Sequence, residues 1–505
     1  MARVKRINPF AALAGSSDED EGTPSCSEQN DAEKAPEVVS LPSMPAGRKN
    51  NKARKKARKE ERRATSRVPL DTDALSARVH RILVNKNKSH PNFSGKVSDA
   101  FASGKWDDSL VFLAAMRHLG QVPRLGTLQR WVACLGDAAT SDPRALGLLF
   151  AILKVARGLG VALGSSSAGK SANSGCEAQE ASRLTESPVA VKVFGELKQL
   201  PDWEAKSLGL KDTPDLDKKS CPINYKPLMS VIAAIPGPER TPANRFDLNI
   251  YESSPGALAL GTRAEVECVQ VPFAPGAFVL TGLLTRAECR RFVTASEQLG
   301  YVPDEPAART ASLVAATAAG LDSRASNFTW LADDSLLDPI MRRCERLLPK
   351  TLEDGSSLVG LNRRWRLYRY LPGSVYRPHV DGSWPASGKD GNGQYVYDAR
   401  GGLERSRFTF LIYLNEGFGG GCTTFFSAGA TEGWVEARGV SPRQGCALVF
   451  PHGEGAGSLV HEGSALTSGT KYVIRTDVLY TAPPPKNSPG SHGKRRLHHN
   501  GHKGK

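Results

Sequence analysis

The chain has 505 residues, enough for two or three domains, and a net charge of +15. That charge is concentrated: residues 48–63, RKNNKARKKARKEERR, carry +8 and residues 486–505 carry +6, leaving +1 for the rest. This excludes a basic groove through the body and makes the two runs solvated arms, with nuclear targeting or nucleic-acid contact as their second use.

The nine cysteines are odd in number and contain no C-x-x-C, so neither a zinc ribbon nor a disulfide framework is indicated. A reducing compartment, nuclear or cytoplasmic, is expected. The opening MARVKRINPF lacks the apolar core of a signal peptide. The longest apolar stretch, residues 146–163, is interrupted by Lys154 and Arg157, so no membrane span is expected.

In chain order, residues 1–66 are polar and charged and cannot bury a core, which predicts a disordered tail. Residues 67–160 read as a helical region. KVSDAFASGKWDDSLVFLAAMRHLGQVPRLGTLQRWVACLG, residues 96–136, predicts two helices around a Gly/Pro turn and faintly resembles one pentatricopeptide-type repeat. A repeat fold needs several copies, and only one is found. A further helix starts near Pro143 and closes at Gly158. GSSSAGKS, residues 164–171, matches a phosphate-binding loop formally, but no buried strand precedes it and no apolar helix follows, so a linker is preferred. Residues 161–264 read as linker and low-signal segment.

From residue 265 to 482 the pattern becomes orderly. Thr285 and Glu288 form a capping box for a helix ending at Gly300, and a second helix spans about Ser335 to Leu348. Short β-rich runs follow, among them WRLYRYL, RFTFLIYL, CTTFF, CALVF and KYVIRTDVLY, which predict an α+β sandwich or small barrel. Residues 483–505 form the second basic tail.

Within the β-rich part, YRPHVDGSW places His379 and Asp381 two apart, on one face of a strand. Two imidazoles and a carboxylate on one octahedral face are the ligand set of non-haem Fe(II) oxygenases. The third ligand is His452 or His461. His461 is preferred because its segment leads into a long alternating strand, whereas His452, in FPHGEG, sits where a turn begins and is read as a loop or supporting residue. Lys471, Val473 and Arg475 then point inward from the last strand. A buried Lys471 requires an anionic partner, either Asp477 or an anionic ligand.

The stretch from about Phe273 to Tyr480 resembles the Fe(II)/2-oxoglutarate-dependent dioxygenases of the prolyl 4-hydroxylase-like branch. The resemblance lies in YRYLPGSVYRPHVD, GGCTTFF, PRQGCALVF and the histidine-to-lysine spacing of HEGSALTSGTK. It implies a double-stranded β-helix (jelly roll) with supporting helices, iron on His379, Asp381 and His461, and 2-oxoglutarate as cosubstrate. Lys471 would hold its far carboxylate, with Arg475 as the rival cation and the hydroxyls of Tyr370 and Thr423 assisting. Tyr376 would line the substrate side, and ascorbate would serve as reductant. Cys422 departs from the acidic residue usual there, and the polar DGSWPASGKDGNGQYVYDARGG after the ligand pair suggests a lid.

These readings predict hydroxylation of a C–H bond in a protein or peptide side chain. A nucleic-acid oxygenase is the first alternative, but the demethylase branch has two arginines six apart, and residue 481 is Thr481 where Arg475 would need its partner. A non-enzymatic module on the same scaffold is the second, disfavoured because no ligand is lost.

Overall fold

Five helices open the described chain: α1 (Thr72–Val84), α2 (Phe93–Ala102), α3 (Trp106–His118), α4 (Leu125–Leu135) and α5 (Pro143–Ala156). The computed structural model describes residues 72–84, 92–156, 191–205, 223–240, 243–261, 265–303, 325–453 and 459–483. Both basic runs and the 164–171 loop match lie outside these residues. Between residues 93 and 135 the chain forms three helices where two were expected. The break missed in the sequence is at Gly104, whose φ of 66° stops α2 while the Lys105 N–H caps the Ala100 carbonyl. Pro143 opens α5, with the Asp142 carboxylate accepting the Arg144 N–H at 2.7 Å. Apolar on most sides, α5 is a buried helix.

Strands then follow as β1 (Glu196–Gln199), β2 (Met229–Ile235), β3 (Leu248–Ser253), β4 (Glu267–Gln270) and β5 (Phe278–Thr281). Next come α6 (Arg286–Leu299), β6 (Val302–Pro303), β7 (Ser326–Leu331) and α7 (Asp334–Cys344). The capping box of α6 forms as read, and Glu288 doubles as the buried partner of Arg343 at 2.7 Å. The remaining chain is strand-rich. It runs β8 (Leu358–Leu361), β9 (Arg364–Tyr370), β10 (Tyr376–His379), β11 (Gly388–Lys389), β12 (Tyr395–Val396), β13 (Glu404–Tyr413) and β14 (Gly419–Gly420). It ends with β15 (Thr423–Ala428), β16 (Trp434–Val440), β17 (Ala447–Pro451), β18 (His461–Gly463), β19 (Leu466–Ser468) and β20 (Lys471–Thr481).

Two sheets organise most of these strands into an α+β fold, with β11–β12 and β14–β19 as separate two-stranded pairs. The larger runs β2-β3-β7-β9-β20-β13-β17-β5-β4, with β6 beside β7 and β8 beside β20. The smaller runs β1-β16-β15-β18-β10. Helices α6 and α7 pack on the larger sheet through Phe292, Ile340 and Trp365, while Phe425, Phe450 and Val473 fill the space between the sheets. Among the described residues no helix is long and apolar enough to cross a membrane.

Two features correct the sequence reading. The segment read as linker, residues 161–264, supplies β1 to the smaller sheet and β2 and β3 to the larger. Helices α1–α5 also share one core with the smaller sheet, burying Val380, Phe426, Val435 and Val460. Burial of such a side chain contributes roughly 1.5–3 kcal/mol. Exposing all four therefore costs about as much as a domain's whole stability. A fragment from Arg240 to Pro485, which the charge distribution alone would permit, lacks both β1 and this cover. It is expected to show no cooperative thermal transition, and a sharp melt of the soluble fragment would show the helices to be an accessory.

Candidate metal centre

β10 and β18 pair antiparallel with His379 directly opposite His461, and their ring centroids lie 4.2 Å apart. β10 ends at His379, so Asp381 lies just beyond the strand. Its carboxylate still turns to the same side: Oδ1 is 3.5 Å from His379 Nε2 and Oδ2 is 3.7 Å from His461 Nε2. The ligand atoms of the three residues lie within 4.8 Å of one another, and they are the group of three potential metal ligands found among the described residues. Behind each ring, Nδ1 meets a backbone carbonyl, Arg377 at 2.8 Å for His379 and Leu459 at 3.0 Å for His461. A carbonyl only accepts, so each Nδ1 carries the proton and each Nε2 presents a lone pair to the centre. Burial drives the His461 imidazole down to about 3, which keeps that lone pair free.

The carboxylate is held on both oxygens. Arg475 Nη2 lies 3.0 Å from Oδ1, and the Thr409 hydroxyl donates to Oδ2 at 2.6 Å. Burial works to raise the Asp381 carboxyl, but the Arg475 guanidinium beside it outweighs this and holds it well below the usual carboxylate range. The donor set thus fits a divalent transition metal: two neutral nitrogens and one ionised oxygen on one side, with the opposite side facing the pocket.

His452, weighed as the rival third ligand, stands outside this group. It is 1% exposed, and its ring nitrogens bond the hydroxyls of Ser406 and Thr409. It follows the last residue of β17, where the strand gives way to a turn, with its N–H donated to the Arg407 carbonyl at 2.9 Å.

Lys471 begins β20 at the inner end of the pocket, 4% exposed, with the rings of Tyr370 and Tyr413 at 5.3 and 5.6 Å from its Nζ. It donates to the Gly421 carbonyl, and among the described residues no carboxylate pairs with it. The Asp477 partner offered by the sequence is instead 3.8 Å from Arg475. An ammonium buried without an anion is costly, so the pocket suits a carboxylate there. Thr423 lines the same end, its hydroxyl 2.8 Å from that of Tyr413. Tyr376 stands at the open side, its ring 4.5 Å from that of His379. Arg475 lines the pocket too, but its guanidinium is engaged by Asp381.

Four supporting residues left no trace in the sequence pattern. Thr409 and Tyr413 sit inside the apolar run of β13. Gln129 of α4 donates to the Val380 carbonyl at 3.0 Å, between the two ligands of the H-x-D pair. Asp202 accepts from the Cys422 thiol at 3.3 Å, placing an acid beside the position where one was missing. The expected lid after Asp381 is a tethered hairpin, β11–β12. Asn362, 1% exposed, donates to the Pro385 carbonyl at 3.0 Å and accepts the Ser387 N–H at 3.2 Å, and Lys389 pairs with Glu252.

No protein-family model matches the chain, and no curated protein matches it. Prolyl hydroxylases and proteins of the 2OG-Fe(II) oxygenase family are among the solved structures similar to it. A viral collagen prolyl hydroxylase from Paramecium bursaria Chlorella virus 1, in complex with 2OG, is similar over 41% of this chain and 97% of its own, at 16% identity and a TM-score of 0.26. A Pseudomonas putida prolyl-4-hydroxylase is similar over 43% and 88%, at 16% identity and a TM-score of 0.22. A Burkholderia pseudomallei oxidoreductase of the 2OG-Fe(II) oxygenase family is similar over 41% and 84%, at 12% identity and a TM-score of 0.22.

Proposed function

We propose that the protein is an Fe(II)- and 2-oxoglutarate-dependent dioxygenase built on a double-stranded β-helix, which hydroxylates a C–H bond in a protein or peptide side chain. The observation that supports this reading best is the pairing of two features in one pocket: the lone pairs of His379, His461 and Asp381, and a buried Lys471 without an anion. When bound, Fe(II) and 2-oxoglutarate supply the oxidising chemistry, in which 2-oxoglutarate and dioxygen yield succinate, carbon dioxide and a hydroxylated product.

The chain's own residues bind, orient and shield. His379 Nε2, His461 Nε2 and Asp381 hold the metal. Lys471 receives the far carboxylate of 2-oxoglutarate, with the hydroxyls of Tyr370 and Thr423 beside it. Phe425 and Phe450 pack against His461 at 5.9 and 4.7 Å between ring centroids and keep water from that ligand. Tyr376, on the open side, orients the incoming side chain. Ascorbate is the proposed reductant, and a nuclear or cytoplasmic setting accords with the six free cysteines among the described residues. Formation of succinate from 2-oxoglutarate, dependent on added Fe(II), tests the reading; a metal-loaded chain that forms none alongside a peptide mixture would count against it.

The pH dependence follows from Lys471. Burial pushes its ammonium down to about 8. Below that pH the cation is present before 2-oxoglutarate arrives. Above it the free protein holds a neutral amine, which must take up a proton to bind the dianion. The apparent KM for 2-oxoglutarate is therefore expected to be flat below about pH 8 and to rise on the order of tenfold per pH unit above it. A KM that stays constant well into the alkaline range would remove Lys471 as the charge partner.

A further inference from the structure

We propose that Thr409 and His452 form a hydrogen-bond relay that positions the metal-ligating carboxylate of Asp381, a role that rests on reading His379, Asp381 and His461 as a metal centre. Thr409 Oγ1 lies 2.6 Å from Asp381 Oδ2 and 2.6 Å from His452 Nδ1. His452 Nε2 lies 2.7 Å from Ser406 Oγ, which in turn accepts the Trp384 N–H at 2.8 Å. Thr409, His452 and Ser406 are each at most 1% exposed, so no solvent competes for these bonds.

Donor accounting leaves the relay one direction. An ionised Asp381 only accepts, so Thr409 spends its single hydroxyl proton on Oδ2. Its contact with His452 must then be donated by Nδ1–H. In a neutral ring Nε2 accepts, so Ser406 donates to it and takes the Trp384 N–H on its oxygen. Each donor is used once. Trp384 and Asp381 lie at the two ends, which ties the backbone just after the H-x-D pair to the ligand itself.

The relay fixes an angle that the metal needs. Arg475 holds Oδ1, and Thr409 holds Oδ2 from another strand, so the carboxylate plane is clamped at two points. Without the second point, the carboxylate can turn about the Arg475 contact. Asp477 offers no substitute: its Oδ1 is 3.8 Å from His452 Nδ1 and has no hydrogen-bond partner. Partners one bond behind a ligand typically account for about 10–100-fold in metal affinity.

The test is calorimetric titration of the full chain with Mn(II), an oxygen-stable stand-in for Fe(II). Thr409→Val keeps the side-chain shape and removes the hydroxyl, and Thr409→Ala removes it in a second way. Both are expected to bind Mn(II) about 10–100-fold more weakly than wild type, and His452→Leu, one bond further back, more weakly than wild type by a smaller factor. Thr409→Ser, which restores the hydroxyl, should bind like wild type, and His452→Asn, which restores an N–H near the Nδ1 position, should recover much of the loss of His452→Leu. Combining His452→Leu with Thr409→Val should add little, because both act through one hydroxyl. Folded Thr409→Val and His452→Leu chains that bind Mn(II) like wild type would overturn the relay and leave the metal centre standing. A wild-type chain that binds no Mn(II) would overturn the metal centre and the relay with it.

Discussion

Asp381→Ala is expected to abolish both metal binding and succinate formation, and to lower thermal stability as well. The loss of function follows from the donor set. Two neutral imidazoles remain, and neither balances the charge of a divalent ion. The loss of stability has a separate cause. Arg475 sits 3.0 Å from Oδ1 with a side chain 13% exposed, and its other acid, Asp477, is 3.8 Å away. Removing one partner of such a buried pair typically costs about 3–5 kcal/mol, because the remaining charge stays desolvated. His379→Ala separates the two effects. It should also abolish metal binding, yet its partly exposed ring leaves no buried charge behind, so its melting temperature should fall less. Equal melting temperatures for Asp381→Ala and wild type would show that Arg475 does not depend on Asp381.

Lys471→Ala is expected to raise the KM for 2-oxoglutarate on the order of a hundredfold or more, with Mn(II) affinity unchanged. The reasoning is again a buried charge left without a partner, here the far carboxylate of the cosubstrate. Arg475, the rival cation in the sequence, separates from Lys471 in the structure. Lys471 lies between Tyr370 and Tyr413, whereas Arg475 is spent on Asp381. Arg475→Ala should therefore weaken metal binding first. If Arg475→Ala raises the KM more than Lys471→Ala does and leaves Mn(II) affinity intact, the anchor moves to Arg475.

What could be read in advance was whatever is local. The H-x-D pair, the alternation of KYVIRTDVLY and the Thr285–Glu288 cap each lie within a dozen residues, where periodicity and capping chemistry act directly. The supporting residues depend on long-range pairing and leave no such trace. Thr409 interrupts the apolar run RFTFLIYL by one hydroxyl, and only the register that sets it opposite Asp477 shows which way it faces. Asp202 reaches Cys422 across 220 positions. β1 is ELKQ, mostly exposed, with no apolar alternation, and it is a strand because β16 offers it an edge. His452 shows the limit from the other side. Its position at a turn was legible, but its complete burial between two hydroxyls was not.

The central claim is that His379, Asp381 and His461 hold one Fe(II) beside a 2-oxoglutarate site anchored by Lys471. Anaerobic titration of Fe(II) into the full chain with saturating 2-oxoglutarate, followed by the visible charge-transfer absorption of the chelate, measures both halves together. The account predicts a band that saturates at one iron per chain, is absent in His461→Ala, and forms in Lys471→Ala only at much higher 2-oxoglutarate. A band that survives His461→Ala and disappears in His452→Ala, or no band at any iron concentration, would contradict it.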